Sequence, residues 1–141
     1  MIQNGFEFDN ISVSEICTRH KEVDFLWTGQ EDAEWEQMIG RTEHAYYPVW
    51  DDVQQNVVGV LDARIYLRMK CRTRTCVMQE AVHVPYFVTE TMKANALFEQ
   101  MKQRKEYFAI VLDENGTFVG IVTLHDIMES MVGELEDNVV E

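Results

Sequence analysis

The sequence predicts an α+β fold built from two β-α-β-β-α repeats, and three observations lead there. Tyr46-Tyr47-Pro48-Val49-Trp50-Asp51-Asp52, followed by Val57-Val58-Gly59-Val60-Leu61, returns about 60 residues on as Phe108-Ala109-Ile110-Val111-Leu112-Asp113-Glu114, followed by Phe118-Val119-Gly120-Ile121-Val122. Self-similarity at a fixed period marks a duplicated unit. Each copy holds two apolar runs of strand length across a polar turn, and each is flanked by residues with helical apolar spacing. A unit of this size cannot bury its apolar face alone, so the copies are expected to pack together and to place function at their seam.

The elements follow in order. Thr28-Gly29-Gln30-Glu31 has capping-box form, and Ala33, Trp35, Met38 and Ile39 give an imperfect helical stripe up to Gly40. Tyr46 to Trp50 and Val57 to Leu61 read as buried strands, and a helix from about Asp62 to Met69 closes the first repeat. In the second repeat, Thr89 or Thr91 is placed to cap a helix carrying Ala94, Leu97, Phe98 and Met101, with Lys102 to Lys105 adding positive charge at its C-terminal end. Phe108 to Leu112 and Phe118 to Val122 flank a turn in which Asn115-Gly116 offers the positive φ values of a tight hairpin. Thr123 starts the last helix, with Leu124, Ile127, Met128 and Met131 on one face and Gly133 as its stop.

Composition bounds the rest. With 141 residues, 46% of them hydrophobic, the chain has material for one globular unit, divided as 1–74 (first repeat with lead-in) and 75–141 (second repeat with acidic tail). A formal net charge of −13 weighs against nucleic acid as a partner, because phosphate backbones are bound by excess Lys and Arg. No apolar run is long enough to cross a membrane, and Met1 to Asn10 lacks the pattern of a secretory signal. Cys17, Cys71 and Cys76 are odd in number and suit a reducing compartment. Arg64, Arg68, Lys70, Arg72 and Arg74 gather between the repeats, either as a solvated helix end pairing with acidic surface or as an anion contact.

With this layout, the string Gly120-Ile121-Val122-Thr123-Leu124-His125-Asp126 makes the chain resemble a tandem pair of CBS domains, a Bateman module, from Ser12 onward. Val111-Leu112-Asp113-Glu114-Asn115-Gly116 and Asp126-Ile127-Met128-Glu129, leading into Val132-Gly133-Glu134-Leu135-Glu136-Asp137, are similar to the CorC/HlyC hemolysin-like branch associated with magnesium and cobalt efflux. The resemblance implies two repeats about a pseudo-twofold axis with two clefts between them, and homodimers formed through the repeats. It implies AMP or ATP, with or without Mg²⁺, as a regulatory ligand. The parent protein would add an N-terminal membrane domain and a C-terminal CorC/HlyC domain as partners, which places the module on the cytoplasmic face of the membrane.

Site residues follow from the same resemblance. Thr123 and Asp126 of the second repeat would hold the nucleotide, with Ile121 lining the cleft and Thr18, Val23, His44, Ala45 and Pro48 on the base and sugar walls. Chemistry supports the first two residues, since a carboxylate accepts two hydrogen bonds from the vicinal hydroxyls of a ribose. A helix N-terminus also attracts phosphate. Thr-x-x-Asp equally has the form of a capping box, so the pair can serve only to start a helix. His44 can be a half-buried strand-edge histidine, and Pro48 strand punctuation.

The first repeat departs from the pattern, with Asp62 where Thr is expected and Ile65 where the ribose-binding Asp is expected. Isoleucine accepts no hydrogen bond. Glu106 and Tyr107 would face that second cleft, and carboxylates near phosphate cost Coulomb energy unless a cation intervenes. One competent site, or none, is expected. Thr18-Arg19-His20 stands where the branch carries Thr-Pro-Arg, and His125 stands where an acidic residue is usual.

No nucleophile and base arrangement surrounds the cysteines or histidines, so the chain is read as no enzyme, and no metal-ligand spacing is present. Three readings remain: a nucleotide sensor controlling a membrane ion transporter, a structural dimerisation module that binds no ligand, and an Mg²⁺-responsive acidic domain.

Overall fold

A computed structural model describes residues 11–140, with side chains through Gly133. The expected absence of a signal at Met1 to Asn10 and the acidic side chains after Gly133 lie outside the described residues. In chain order the elements are α1 (Val13–Ile16), β1 (Thr18–Arg19), a 3-10 turn (His20–Glu22), β2 (Leu26–Trp27), α2 (Asp32–Thr42), β3 (Tyr46–Asp51) and β4 (Asn56–Asp62). They continue as α3 (Ala63–Arg68), α4 (Arg74–Glu80), β5 (Val82–His83), β6 (Phe87–Thr89), α5 (Ala94–Arg104), β7 (Phe108–Leu112), β8 (Phe118–Thr123) and α6 (Leu124–Val140).

The chain forms two compact units, one from the segment through Val23 together with Tyr86 onward, the other from Asp24–Pro85. We call them the host unit and the inserted unit. This partition differs from a division between residues 74 and 75. The reason is strand pairing: the lead-in supplies β1 to the sheet of the second repeat, and β5 joins the sheet of the first.

Both units repeat one plan. The inserted unit has sheet order β2-β3-β4-β5, with β2 parallel to β3 and the other pairs antiparallel. The host unit has order β6-β7-β8-β1, again with one parallel pair followed by two antiparallel ones. The two predicted hairpins are β3-β4 and β7-β8, which accounts for the duplicated apolar runs. Strand β7 is buried through Val111, as expected of a strand covered on both faces, whereas β8 alternates buried and half-buried residues.

Each unit has its own core. Leu26, Trp35, Ile39, Tyr47, Leu61 and Tyr66 centre that of the inserted unit. Val13, Leu97, Met101, Val111, Val122 and Ile127 centre that of the host unit. Burying Trp35 and Tyr47 strands polar atoms unless they are paired. The Trp35 indole accordingly donates to the Trp27 carbonyl at 2.9 Å, and the Tyr47 hydroxyl meets Thr42 Oγ1 at 2.7 Å while accepting from the His44 amide at 2.8 Å.

Helix boundaries correct several expectations. Helix α2 is capped by Glu31 in a capping box with Glu34, not by Thr28, whose hydroxyl instead donates to Asp51 Oδ1 at 2.6 Å. That bond, followed by the amide of Gln54, holds the Asp51 carboxyl below its usual range. Ala33 is exposed, and the helix passes Gly40 to end at Thr42. Neither Thr89 nor Thr91 caps α5. Thr89 is committed to β6, and the Ala94 amide donates at 2.8 Å to the carbonyl of Ile11, a partner supplied by the lead-in. In the turn before β8, Gly116 alone of the Asn-Gly pair takes positive φ, 82°, while Asp113 Oδ1 accepts from the amides of Asn115 and Thr117. Gly133 does not stop α6, because a terminating glycine adopts a left-handed conformation and this one does not. Met128 of the expected buried face is exposed. The short helix α4, begun by Thr73 Oγ1 accepting from the Cys76 amide, has no counterpart in the predicted layout.

Candidate functional site

The host unit assembles four of the predicted site residues around the junction of β8 and α6. Thr18 of β1 pairs with Ile121 of β8, and Thr123 lies two residues further along β8, on the same face as Ile121. Asp126 is in the first turn of α6. All four side chains are half-buried.

This convergence depends on a glycine. A Cβ on Gly120 would fall on the carbonyl oxygen of Thr18, with Thr18 C at 3.0 Å and Arg19 Cα at 3.3 Å. Only the bare backbone lets β1 lie against β8. Gly59 holds the matching position in the inserted unit, where an added Cβ would meet Val82 Cγ1 of β5 at 2.5 Å.

Thr123 and Asp126 do form the reciprocal cap that their spacing allowed. The Asp126 amide donates to Thr123 Oγ1 at 3.0 Å, and the Thr123 amide donates to Asp126 Oδ2 at 3.3 Å. Chemistry remains on both side chains. Among the described residues Asp126 Oδ1 has no hydrogen-bond donor, and Thr123 Oγ1, used as an acceptor, keeps its own O–H to donate. The residual groups are thus one acidic oxygen and one hydroxyl donor beside a helix start, a combination suited to a polyhydroxyl ligand carrying phosphate.

The 3-10 turn extends the same wall. The Val23 amide donates to the His20 carbonyl at 3.1 Å, and the His20 ring meets Phe118 edge to face with centroids 5.1 Å apart. His125 is exposed and pairs with Glu129 one turn on at 3.1 Å, a solvated helix-surface contact.

The other three predicted residues belong to the inserted unit. His44 Nε2 lies 2.7 Å from Asp24 Oδ2, and its ring packs edge to face on Tyr47 at 5.4 Å. Asp24 was missed from the sequence, since twenty residues separate it from His44 and no local pattern joins them. The Ala45 carbonyl accepts from the Ala63 amide at 2.9 Å, just as Tyr107 accepts from Leu124 at 3.1 Å in the host unit. Pro48 is buried in β3 opposite Val60.

The first-repeat counterparts are occupied by structural work. Asp62 is buried, and its Oδ1 accepts from the Arg64 amide at 2.9 Å, while Oδ2 lies 3.6 Å from the Arg64 guanidinium. Ile65 packs against the core of its unit. Three of the five clustered basic residues are likewise engaged within the inserted unit. Arg64 pairs with Asp62. Arg72 bonds the Leu67 carbonyl at 3.0 Å, and Arg74 bonds those of Thr28 and Gln30 at 3.0 and 2.6 Å while stacking 3.9 Å over Trp35. Among the described residues no three His, Cys, Asp or Glu side chains gather as a metal site requires. No described helix is long and apolar enough to cross a membrane.

Known proteins share this arrangement. Residues 77–133 match the CBS domain family. The magnesium and cobalt efflux protein CorC of Pasteurella multocida (strain Pm70) is 27% identical over 138 residues, covering 97% of this chain and 46% of that protein. The chain spans less than half the length of the curated relatives it matches. A CBS-domain pair with bound AMP from Klebsiella pneumoniae has the same fold, with a TM-score of 0.79 at 22% identity over 86% of this chain and 98% of that one. The CBS domain of the bacterial CNNM/CorC family Mg²⁺ transporter, solved in complex with ATP, gives a TM-score of 0.81 at 30% identity and 94% coverage of each chain. Identity at that level, running through both units and nearly the full length of a solved relative, means that the chain belongs to the CBS domains of the CNNM/CorC branch.

Proposed function

We propose that the chain is a regulatory CBS-pair module that binds an adenine nucleotide and controls an associated membrane ion transporter of the magnesium and cobalt efflux type. The observation that carries this reading is the uncommitted oxygen and hydroxyl of Asp126 and Thr123 at the start of α6. The likeness to a CNNM/CorC family CBS domain solved with ATP supports it. Asp126 Oδ1 would accept from a ribose hydroxyl, and Thr123 with the helix start would face phosphate. Ile121 and Thr18 would line the sugar, and Val23, His44, Ala45 and Pro48 are the further residues proposed for sugar and base. One site per chain is expected, because Asp62 is already a helix cap and Ile65 a core side chain. Mg²⁺ would enter with the phosphates, offsetting the negative charge of the chain. The parent protein would place the module, as a homodimer, beside a membrane domain on the cytoplasmic side.

Ligand linkage tests this. A nucleotide that binds only the folded chain at about 100 times its Kd adds about 2.7 kcal/mol of apparent stability. AMP, ADP and ATP, each with and without Mg²⁺, are titrated while thermal unfolding is followed. Asp126→Ala should abolish the gain. Asp126→Asn keeps an acceptor for the Thr123 amide, so it separates loss of ligand binding from loss of the cap. No response at millimolar nucleotide would overturn the reading in favour of a structural module, and a response to Mg²⁺ alone would favour an ion-responsive one.

A further inference from the structure

The function above makes no use of the two cysteines that straddle the start of α4. Cys71 is exposed, two residues before the capping Thr73, and Cys76 is the third residue of the helix. Both converge on one hydroxyl. Thr73 Oγ1 lies 3.5 Å from Cys71 Sγ and accepts from the Cys76 amide at 3.4 Å. With the Cys71 thiol and the Cys76 amide each within 3.5 Å of the same oxygen, the two residues lie side by side across the helix start.

We propose that Cys71 and Cys76 are a modification site, a dithiol that a hydroperoxide closes to an intrachain disulfide on the connection between α3 and α4. The roles are unequal. The hydrogen bond from Cys76, followed by that from Thr73, lowers the Cys71 thiol from its ordinary value of 9.0, while the same contact raises Cys76. Cys71, the exposed thiol beside the Thr73 hydroxyl, is the thiolate that attacks, and the half-buried Cys76 is the thiol that resolves. Glu80 opposes ionisation of both, as a weaker influence. Cys17, in the host unit, has its thiol pushed up by burial and takes no part.

The chemistry balances. Cys71 Sγ⁻ attacks one oxygen of the hydroperoxide, the O–O bond breaks, and sulfenic acid forms as the other oxygen leaves as hydroxide or alkoxide and takes a proton. Cys76 Sγ then attacks Cys71 Sγ, the S–O bond breaks, and the departing hydroxide takes the Cys76 proton to form water. Two thiols are oxidised and one peroxide is reduced.

The site can be read by mass. Trypsin cuts after Lys70, Arg72, Arg74 and Lys93, so the disulfide would join Cys71-Arg72 to the peptide of residues 75–93 in an unreduced digest. After hydrogen peroxide treatment of the full chain, that linked pair is expected, lost on reduction and absent in Cys76→Ser. The Cys76→Ser chain should instead carry a sulfenic acid at Cys71 that dimedone traps. Before oxidation, iodoacetamide at neutral pH should label Cys71 about tenfold faster than Cys17, following thiolate fraction. Equal labelling rates, no linked pair, or a linkage through Cys17 would overturn the proposal.

Discussion

Gly120 shows how one missing side chain can hold a site together. Because the blocking atoms at Gly120 are backbone, from Thr18 and Arg19, they cannot move without detaching β1. At Gly59 the obstacle is the end of the Val82 side chain, which can shift in part. Overpacking of this kind typically costs about 1–3 kcal/mol. Gly120→Ala should therefore fall at or above the upper end of that range and Gly59→Ala near the lower, as read by urea denaturation of the two variants. Equal losses would contradict the backbone argument. Thr123 and Asp126 were legible in the sequence because three residues at a strand-to-helix junction fix their geometry. What local sequence does not convey is which oxygen of Asp126 the cap consumes, or that Asp24 closes on His44 across twenty residues.

Among the elements, α2 and α5 end alike. Glu43 and Lys105 both sit at φ 58° and ψ 40°, the left-handed cap in which a Cβ is crowded by the following carbonyl. Glycine is the usual occupant. Glu43→Gly and Lys105→Gly should each raise stability by about 0.5–1 kcal/mol, the difference left after the greater unfolded-state freedom of glycine is deducted. Thermal unfolding of the single variants and of the double variant checks both the sign and the additivity. A loss of stability in either single variant would show that the side chain contributes more than the strain costs. Strands and helices were readable from periodicity, and so were the starts of α3 at Asp62 and α6 at Thr123, whereas those of α2 and α5 were not, and α5 explains the failure. Its first amide is satisfied by the carbonyl of Ile11, so the nearby threonines were never needed as caps. Likewise α4 escaped notice because its stretch reads as a run of basic residues, while the carbonyls of Thr28 and Gln30 that Arg74 bonds to anchor it lie far along the chain.

For the molecule as a whole, the duplicated hairpins announced two sheets of one plan, and the structure has them. The partition into units was not legible in the same way. A two-residue strand such as β1 carries almost no periodic signal, yet its pairing with β8 assigns the lead-in to the later repeat. That pairing has a mechanical consequence. Both described ends of the chain leave from the host unit, so tension applied between them is borne first by the pairing of β1 with β8 and by the backbone hydrogen bonds of Ile11, Val13 and Ser14 with Ala94, Met92 and Glu90. Asp24–Pro85 lies in series only after those contacts fail, and until then it carries no load. In a pulling experiment the host unit should yield before the inserted one, and release of the inserted unit first would refute this. Strand β1, which pairs with β8 two residues before Thr123, is thus also the molecule's tether, so a tug arriving through the lead-in is felt beside Thr123 and Asp126 before anywhere in the second sheet.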